Sequence, residues 1–150
     1  MPIMKDMEAV WQAVPTPAYV VVEALLRRNL ELLAKLQKDT GCHVLLAQKA
    51  FSMYHFYPLI GNYLSGATAS GLYEARLAHE EMPGRENHIF SPAYQAEEFP
   101  QILPFCDHIV FNSFAQWERF GPAALAAGRE CGLRINPEHS EGANPLYDPC

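Results

Sequence analysis

The sequence predicts an α/β fold with a parallel sheet, from three observations. Short apolar segments recur about every 22 residues from residue 44 onward, the length of a strand, a helix and two short loops. Helical patterns with capping residues separate these segments. The chain is 150 residues long, 49% hydrophobic and 19% charged, enough for one core and too short for two comfortable domains.

Taken in order, Ile3 to Val14 reads as a short amphipathic helix stopped by Pro15 and Pro17. Thr16 to Val22 is rich in β-branched residues and reads as a strand opened by a proline, where a missing N–H costs least. Ala24 to Lys38 carries Leu25, Leu26, Leu30, Leu33 and Leu36 on a broad apolar helical face, and Thr40-Gly41 ends it. Val44 to Gln48 is an apolar strand, and Tyr54 to Leu64 is helix-like with Pro58 in its first turn. Gly66 to Ala69 is a second strand, and Ser70-Gly71 caps a helix to Glu81 with Glu74 near the positive end of its dipole. His88 to Phe90 forms a third strand, Tyr94 to Leu103 a helix, and His108 to Phe111 a fourth strand. Ser113-x-x-Gln116 opens a helix to Ala127, and Leu133 to Asn136 is the fifth strand.

Repeated βα units require a parallel sheet, either an open doubly wound sheet or a closed (β/α)8 barrel. Five strands complete an open sheet but are too few for a barrel, which takes about 250 residues. Either architecture gathers its chemistry at the carboxyl ends of the strands.

The net charge of −6, with no basic run, offers no footprint for nucleic acid or an anionic membrane. The longest apolar stretch, Tyr19 to Val22, is broken at Glu23, so neither a signal peptide nor a membrane span is expected and the chain reads as cytoplasmic. Cys42, Cys106, Cys131 and Cys150 form no Cys-x-x-Cys pair and read as reduced thiols.

One residue stands out against this background. In Cys42 to Phe51 an apolar strand runs into Lys49 and out into Ala50 and Phe51. A lysine desolvated at such a place has a lowered pKa and becomes an amine nucleophile able to form a Schiff base. The alternative is a strand-end lysine snorkelling to water. Ser91, Asn112 and Asn136 fall at the same end of the sheet, and Arg134 lies within the fifth strand. Aimed inward, Arg134 needs an anionic partner such as a carboxylate, phosphate or phenolate; on an edge, it faces water.

Other motifs lead nowhere. His79-Glu80-Glu81 lacks the second histidine of a zincin and is followed by Pro83, so no metal site is expected. Dinucleotide, P-loop and nucleophile-elbow patterns are absent from the sequence. Glu138-His139-Ser140-Glu141 reads as a solvated loop, and Tyr54 to Tyr57 as core and rim aromatics.

Thr16-Pro17-Ala18-Tyr19-Val20, the helix Leu25 to Leu33, Gln48-Lys49-Ala50-Phe51-Ser52, Asn112-Ser113 and Gly132 to Ser140 together resemble the carboxynorspermidine (carboxyspermidine) decarboxylases. These belong to the pyridoxal-phosphate family of ornithine and diaminopimelate decarboxylases and alanine racemase. The resemblance implies a (β/α)8 TIM-type barrel of fold type III, here its first five βα units. Residues 1–22 would join a carboxyl-terminal β-domain that is absent here, and residues 23–150 would form a partial cofactor-binding barrel. Lys49 matches the lysine that holds pyridoxal 5'-phosphate covalently, and Arg134 the arginine beside its phenolic oxygen. Glu74 aligns with a glutamate near the lysine, and Thr68 falls where ornithine decarboxylases have an aspartate; neither is given a catalytic role. The implied reaction forms norspermidine or spermidine from a carboxylated polyamine, in a homodimer when full length. An amino-terminal portion alone is expected to be inactive, with two sheet edges and an apolar face exposed. The alternatives are a non-catalytic pyridoxal-phosphate-binding barrel or an inactive fragment.

Overall fold

The computed structural model describes residues 7–142; the start of the first predicted helix and the Asp148-Pro149-Cys150 end lie outside them. Five strands form one sheet: β1 (Leu45–Ala47), β2 (Gly66–Ala69), β3 (Glu86–Phe90), β4 (His108–Phe111) and β5 (Glu130–Leu133). Every neighbouring pair is parallel, and the spatial order is the sequence order, β1-β2-β3-β4-β5. That order decides between the two predicted architectures. Right-handed crossovers that always step in one direction put every helix on the same face of the sheet, whereas a doubly wound sheet reverses direction and covers both. The sheet therefore has the winding of a barrel segment.

The helices are α1 (Met7–Ala13), α2 (Glu23–Thr40), α3 (Tyr57–Gly61), α4 (Leu72–Glu81), α5 (Phe99–Ile102) and α6 (Phe114–Ala126). Gly41 ends α2 with a φ of 73°, a left-handed conformation cheap only for glycine, and its N–H donates to the Gln37 carbonyl. Leu30 is buried and Leu26 and Leu33 pack beside it, but Leu36 is exposed, so the apolar stripe is narrower than predicted. Gln37 fastens α2 to the sheet: its side-chain carbonyl accepts from the Val44 N–H and the Ser65 hydroxyl, and its amide donates to the Tyr63 carbonyl. Pro58 sits in the first turn of α3, where its missing N–H breaks no helical bond.

Strand alternation divides the side chains between two faces. Ala69, Ile89, Ile109 and Phe111 point to the helices and are buried. They join Tyr94, Phe99, Ile102, Cys106 and Phe120 in one cluster, while Leu30, Tyr57, Ile60, Leu64, Ala67 and Met82 form a second. On α4, Ala75 belongs to the first cluster and Ala78 to the second. Small residues there let the helix lie close to the sheet. Each fully buried isoleucine or phenylalanine contributes about 1.5–3 kcal/mol.

Two strand predictions are corrected. Thr16 to Val22 forms no strand; Tyr19 is 94% exposed, and no neighbouring strand supplies the ladder that β-branched residues need. The fifth strand is displaced toward the amino terminus, because pairing with β4 places Glu130 opposite His108 and Leu133 opposite Phe111. Arg134 thus follows β5, although its N–H still donates to the Phe111 carbonyl. The helix predicted from Tyr94 shrinks to α5, since the Tyr94 side chain turns into the core and its hydroxyl donates to the Val110 carbonyl at 2.9 Å.

The sheet face away from the helices is mixed: Leu45, Phe90 and Val110 are apolar there, and a polar row lies between them. Ala47, Thr68, His88, His108 and Glu130 form one level row across all five strands on that side. Four of the five are polar.

Candidate functional site

Gln48 sets the geometry at the carboxyl end of β1. It is 1% exposed, and a polar side chain so buried must be hydrogen-bonded to be tolerated. Its amide donates to the Glu74 carbonyl at 2.9 Å, and its side-chain oxygen faces the Tyr57 hydroxyl at 3.4 Å. The Ser52 hydroxyl donates to the Gln48 carbonyl at 2.6 Å, while the Ala50 and Phe51 N–H groups return to the Ala47 carbonyl. The chain is thereby folded into a tight turn with residue 48 locked on the helix side.

Lys49 follows within that turn, next to the buried Gln48, and is exposed. The predicted burial of Lys49 is not observed: among the described residues its side chain stays exposed. Among the described residues Lys49 makes no hydrogen bond or ion pair, so no counter-ion engages its amine. A groove lined by Tyr19, Val20 and Val21 on one side and Ala50 to Met53 on the other runs along the residues after it.

Arg134 is also exposed, and its guanidinium carbon lies 5.0 Å from the centre of the Phe90 ring. Phe90 belongs to β3, so Arg134 reaches back across β4 toward the middle of the sheet, within the range of a cation–π contact. Lys49 and Arg134 rise from the outermost strands of the sheet and are not brought into contact. At ~4.8 Å per strand, the feet of these two residues stand about 19 Å apart along a flat sheet, and curling into a barrel shortens that span.

The remaining predicted residues are structural in this chain. Glu74 accepts the Ser70 N–H at 2.6 Å, closing the start of α4, and Thr68 sits level with Ala47 and His88. Ser91 donates to the Ala93 carbonyl, Asn136 accepts the Glu138 N–H, and Ser113 accepts the Gln116 N–H as the cap of α6. Burial, together with the Glu74 carboxylate, raises the pKa of Tyr57 and keeps it a hydroxyl beside Gln48.

Sequence reasoning missed a second group, at the amino ends of the strands. Glu86, His88 and His108 bring one ligand atom each within 4.8 Å of one another. Glu86 and His88 lie two apart on β3, and His108 is the register partner of His88. The first half of this pattern is legible as Glu-x-His on a strand; the second requires the register.

The arrangement at the carboxyl end fits pyridoxal phosphate in two respects. Lys49 offers an uncommitted primary amine, and Arg134 offers guanidinium donors with no carboxylate on them among the described residues. An anionic oxygen of the cofactor would suit the second as an aldehyde suits the first.

No family model matches the chain. It is 41% identical over 138 residues to a carboxyaminopropylagmatine decarboxylase of Synechocystis, a match spanning 92% of this chain and 35% of that protein. It is 41% identical over 140 residues to a carboxynorspermidine/carboxyspermidine decarboxylase of Campylobacter jejuni, spanning 93% of this chain and 36% of the relative. The crystal structure of carboxynorspermidine decarboxylase from Campylobacter jejuni, complexed with norspermidine, superimposes with a TM-score of 0.80 at 42% identity. That superposition covers 85% of this chain and 34% of the solved one. The chain spans about a third of the length of the relatives it matches. In sequence and in fold it is a relative of the carboxynorspermidine/carboxyspermidine decarboxylases, corresponding to an amino-terminal portion of them.

Proposed function

We propose that this chain carries the lysine-bearing part of a pyridoxal-phosphate-dependent decarboxylase that acts on a carboxylated polyamine. The observation that carries the reading is Lys49: a primary amine with no partner among the described residues, in the turn after β1 beside the anchored Gln48, in a chain 41% identical to two decarboxylases named for carboxylated polyamines. Carboxynorspermidine, carboxyspermidine and carboxyaminopropylagmatine, taken from the relatives' names, are the substrate candidates.

Pyridoxal phosphate, when bound, supplies an electron sink for the carbanion left by loss of carbon dioxide. The protein's own residues do the rest. Lys49 Nζ would hold the cofactor through its aldehyde, and the same amine would be placed to hand a proton to the reacting carbon. Arg134, steadied against the Phe90 ring, would donate hydrogen bonds to an anionic oxygen of the cofactor. The chain's net charge of −6 favours a polycationic substrate over an anionic one.

The test is borohydride reduction of the chain with substoichiometric pyridoxal phosphate, followed by peptide mapping. Lys49 is expected to take the label ahead of Lys35 and Lys38, and Lys49→Ala to abolish that adduct. Equal labelling of all three sinks the assignment. Carbon dioxide release from the candidate substrates by the whole protein separates a decarboxylase from a non-catalytic cofactor-binding barrel, which would be labelled at Lys49 yet release none.

A further inference from the structure

The cluster at the amino ends of β3 and β4 has no part in the chemistry assigned to Lys49. Glu86 Oε2 and His88 Nε2 are 3.0 Å apart. Two ligands of a tetrahedral zinc ion bound at ~2.0–2.1 Å stand about 3.3 Å from each other, so this pair already spans nearly the right edge. His108 lies in register with His88 on the adjacent strand, and the two rings stack with centroids 3.9 Å apart. As they stand, Glu86, His88 and His108 each offer a ligand atom within 4.8 Å of the others'.

The surroundings are those of a ligand set. His108 Nδ1 is 3.0 Å from Glu130 Oε2, which fixes Nδ1 as the donor and leaves the Nε2 lone pair for coordination. His43 Nδ1 holds the other oxygen of Glu86 at 2.5 Å and orients that carboxylate toward His88. The side chains of Glu86, His88 and His108 are 29%, 25% and 31% exposed, so they are sheltered but reachable from the helix-free face of the sheet. Two imidazoles and a carboxylate from a rigid pair of strands, with one position left to water, is a donor set for zinc and its first-row neighbours; calcium and magnesium prefer all-oxygen sites.

We propose that Glu86, His88 and His108 bind a divalent first-row transition-metal cation, zinc foremost, on the helix-free face of the sheet. The site ties β3 to β4 through their side chains, with Glu130 and His43 as positioning residues.

The test is calorimetric titration of the chelator-treated full chain with zinc chloride. Saturable binding of one zinc per chain is expected, weakened at least 10-fold by His88→Gln and by His108→Gln and unchanged by His55→Gln, which lies outside the cluster. Circular dichroism checks that the variants are folded. Cobalt(II) added to the unaltered protein gives a readout independent of any variant: the intense visible bands of a four- or five-coordinate ion, bleached by zinc, are expected. No saturable zinc binding, binding that His88→Gln and His108→Gln leave intact, or a cobalt spectrum that remains that of the hydrated ion would each overturn the proposal.

Discussion

Lys49 is placed by its neighbour. The side chain of Gln48 is anchored between the Glu74 carbonyl and the Tyr57 hydroxyl, and the turn it belongs to sets the backbone position of Lys49. Gln48→Leu removes both hydrogen-bond partners while keeping roughly the volume. It is expected to cost about 1–3 kcal/mol, the usual penalty for stranding buried polar groups. Urea unfolding measures the loss, and the borohydride label at Lys49 should fall with it; a variant as stable as the parent would remove Gln48 from this role. In sequence, Gln48 is one polar residue between an apolar strand and a conspicuous lysine, and nothing local says that it is buried. Lys49 was legible because a charge after four apolar residues is locally odd. Arg134 was legible as a cation near a strand end, but its approach to Phe90 depends on two strands separated by more than forty residues of chain, and its exposure on which face is covered.

At the scale of elements, β2 and β4 have the bounds their composition suggests, Gly66–Ala69 and His108–Phe111. Gly66 opens β2 for a steric reason. A Cβ there would lie 1.8 Å from the Glu86 carbonyl oxygen and 2.8 Å from the Glu86 nitrogen, both backbone atoms that cannot step aside. Gly66→Ala is expected to destabilise the protein by about 1–3 kcal/mol or more, as overpacking does. Gly132 on β5 is the control, since a Cβ there first meets Val110 Cγ2 at an ordinary 3.5 Å. Thermal unfolding of both variants decides: similar melting temperatures would mean that β2 has room to move away from β3. Composition failed where strand formation is a matter of neighbours. Thr16 to Val22 has the β-branched residues and no ladder to join, whereas Glu130-Cys131-Gly132 lacks strong strand preference and is drawn into one by the edge of β4.

Over the whole molecule, the larger core cluster encloses groups that cannot afford ionisation. Burial pushes the Cys106 thiol up to about 12, helped by the Asp107 carboxylate and opposed by the Arg129 guanidinium. Burial likewise raises the pKa of the Tyr94 hydroxyl. Below the ordinary thiol pKa of 9.0, both folded and unfolded chains keep Cys106 protonated and stability is intact. Above it, the unfolded chain loses the proton first, so stability declines as pH rises from 9.0 toward 12. The denaturation midpoint should therefore fall through this alkaline range, and Cys106→Ala should show a shallower fall; parallel slopes for the two proteins would contradict it. Thiol reagents should modify the exposed Cys42 in the native protein and reach Cys106 only on unfolding.

The strand order carries a consequence for how the molecule comes into being. Each strand pairs with the one made immediately before it, as Leu45 with Gly66, Thr68 with His88 and His108 with Glu130. Every closure thus spans roughly twenty residues and costs nearly the same chain entropy. No strand has to wait for a distant partner. As the polypeptide leaves the ribosome, each newly emerged βα unit finds its docking edge already built, and the sheet grows in the direction of synthesis.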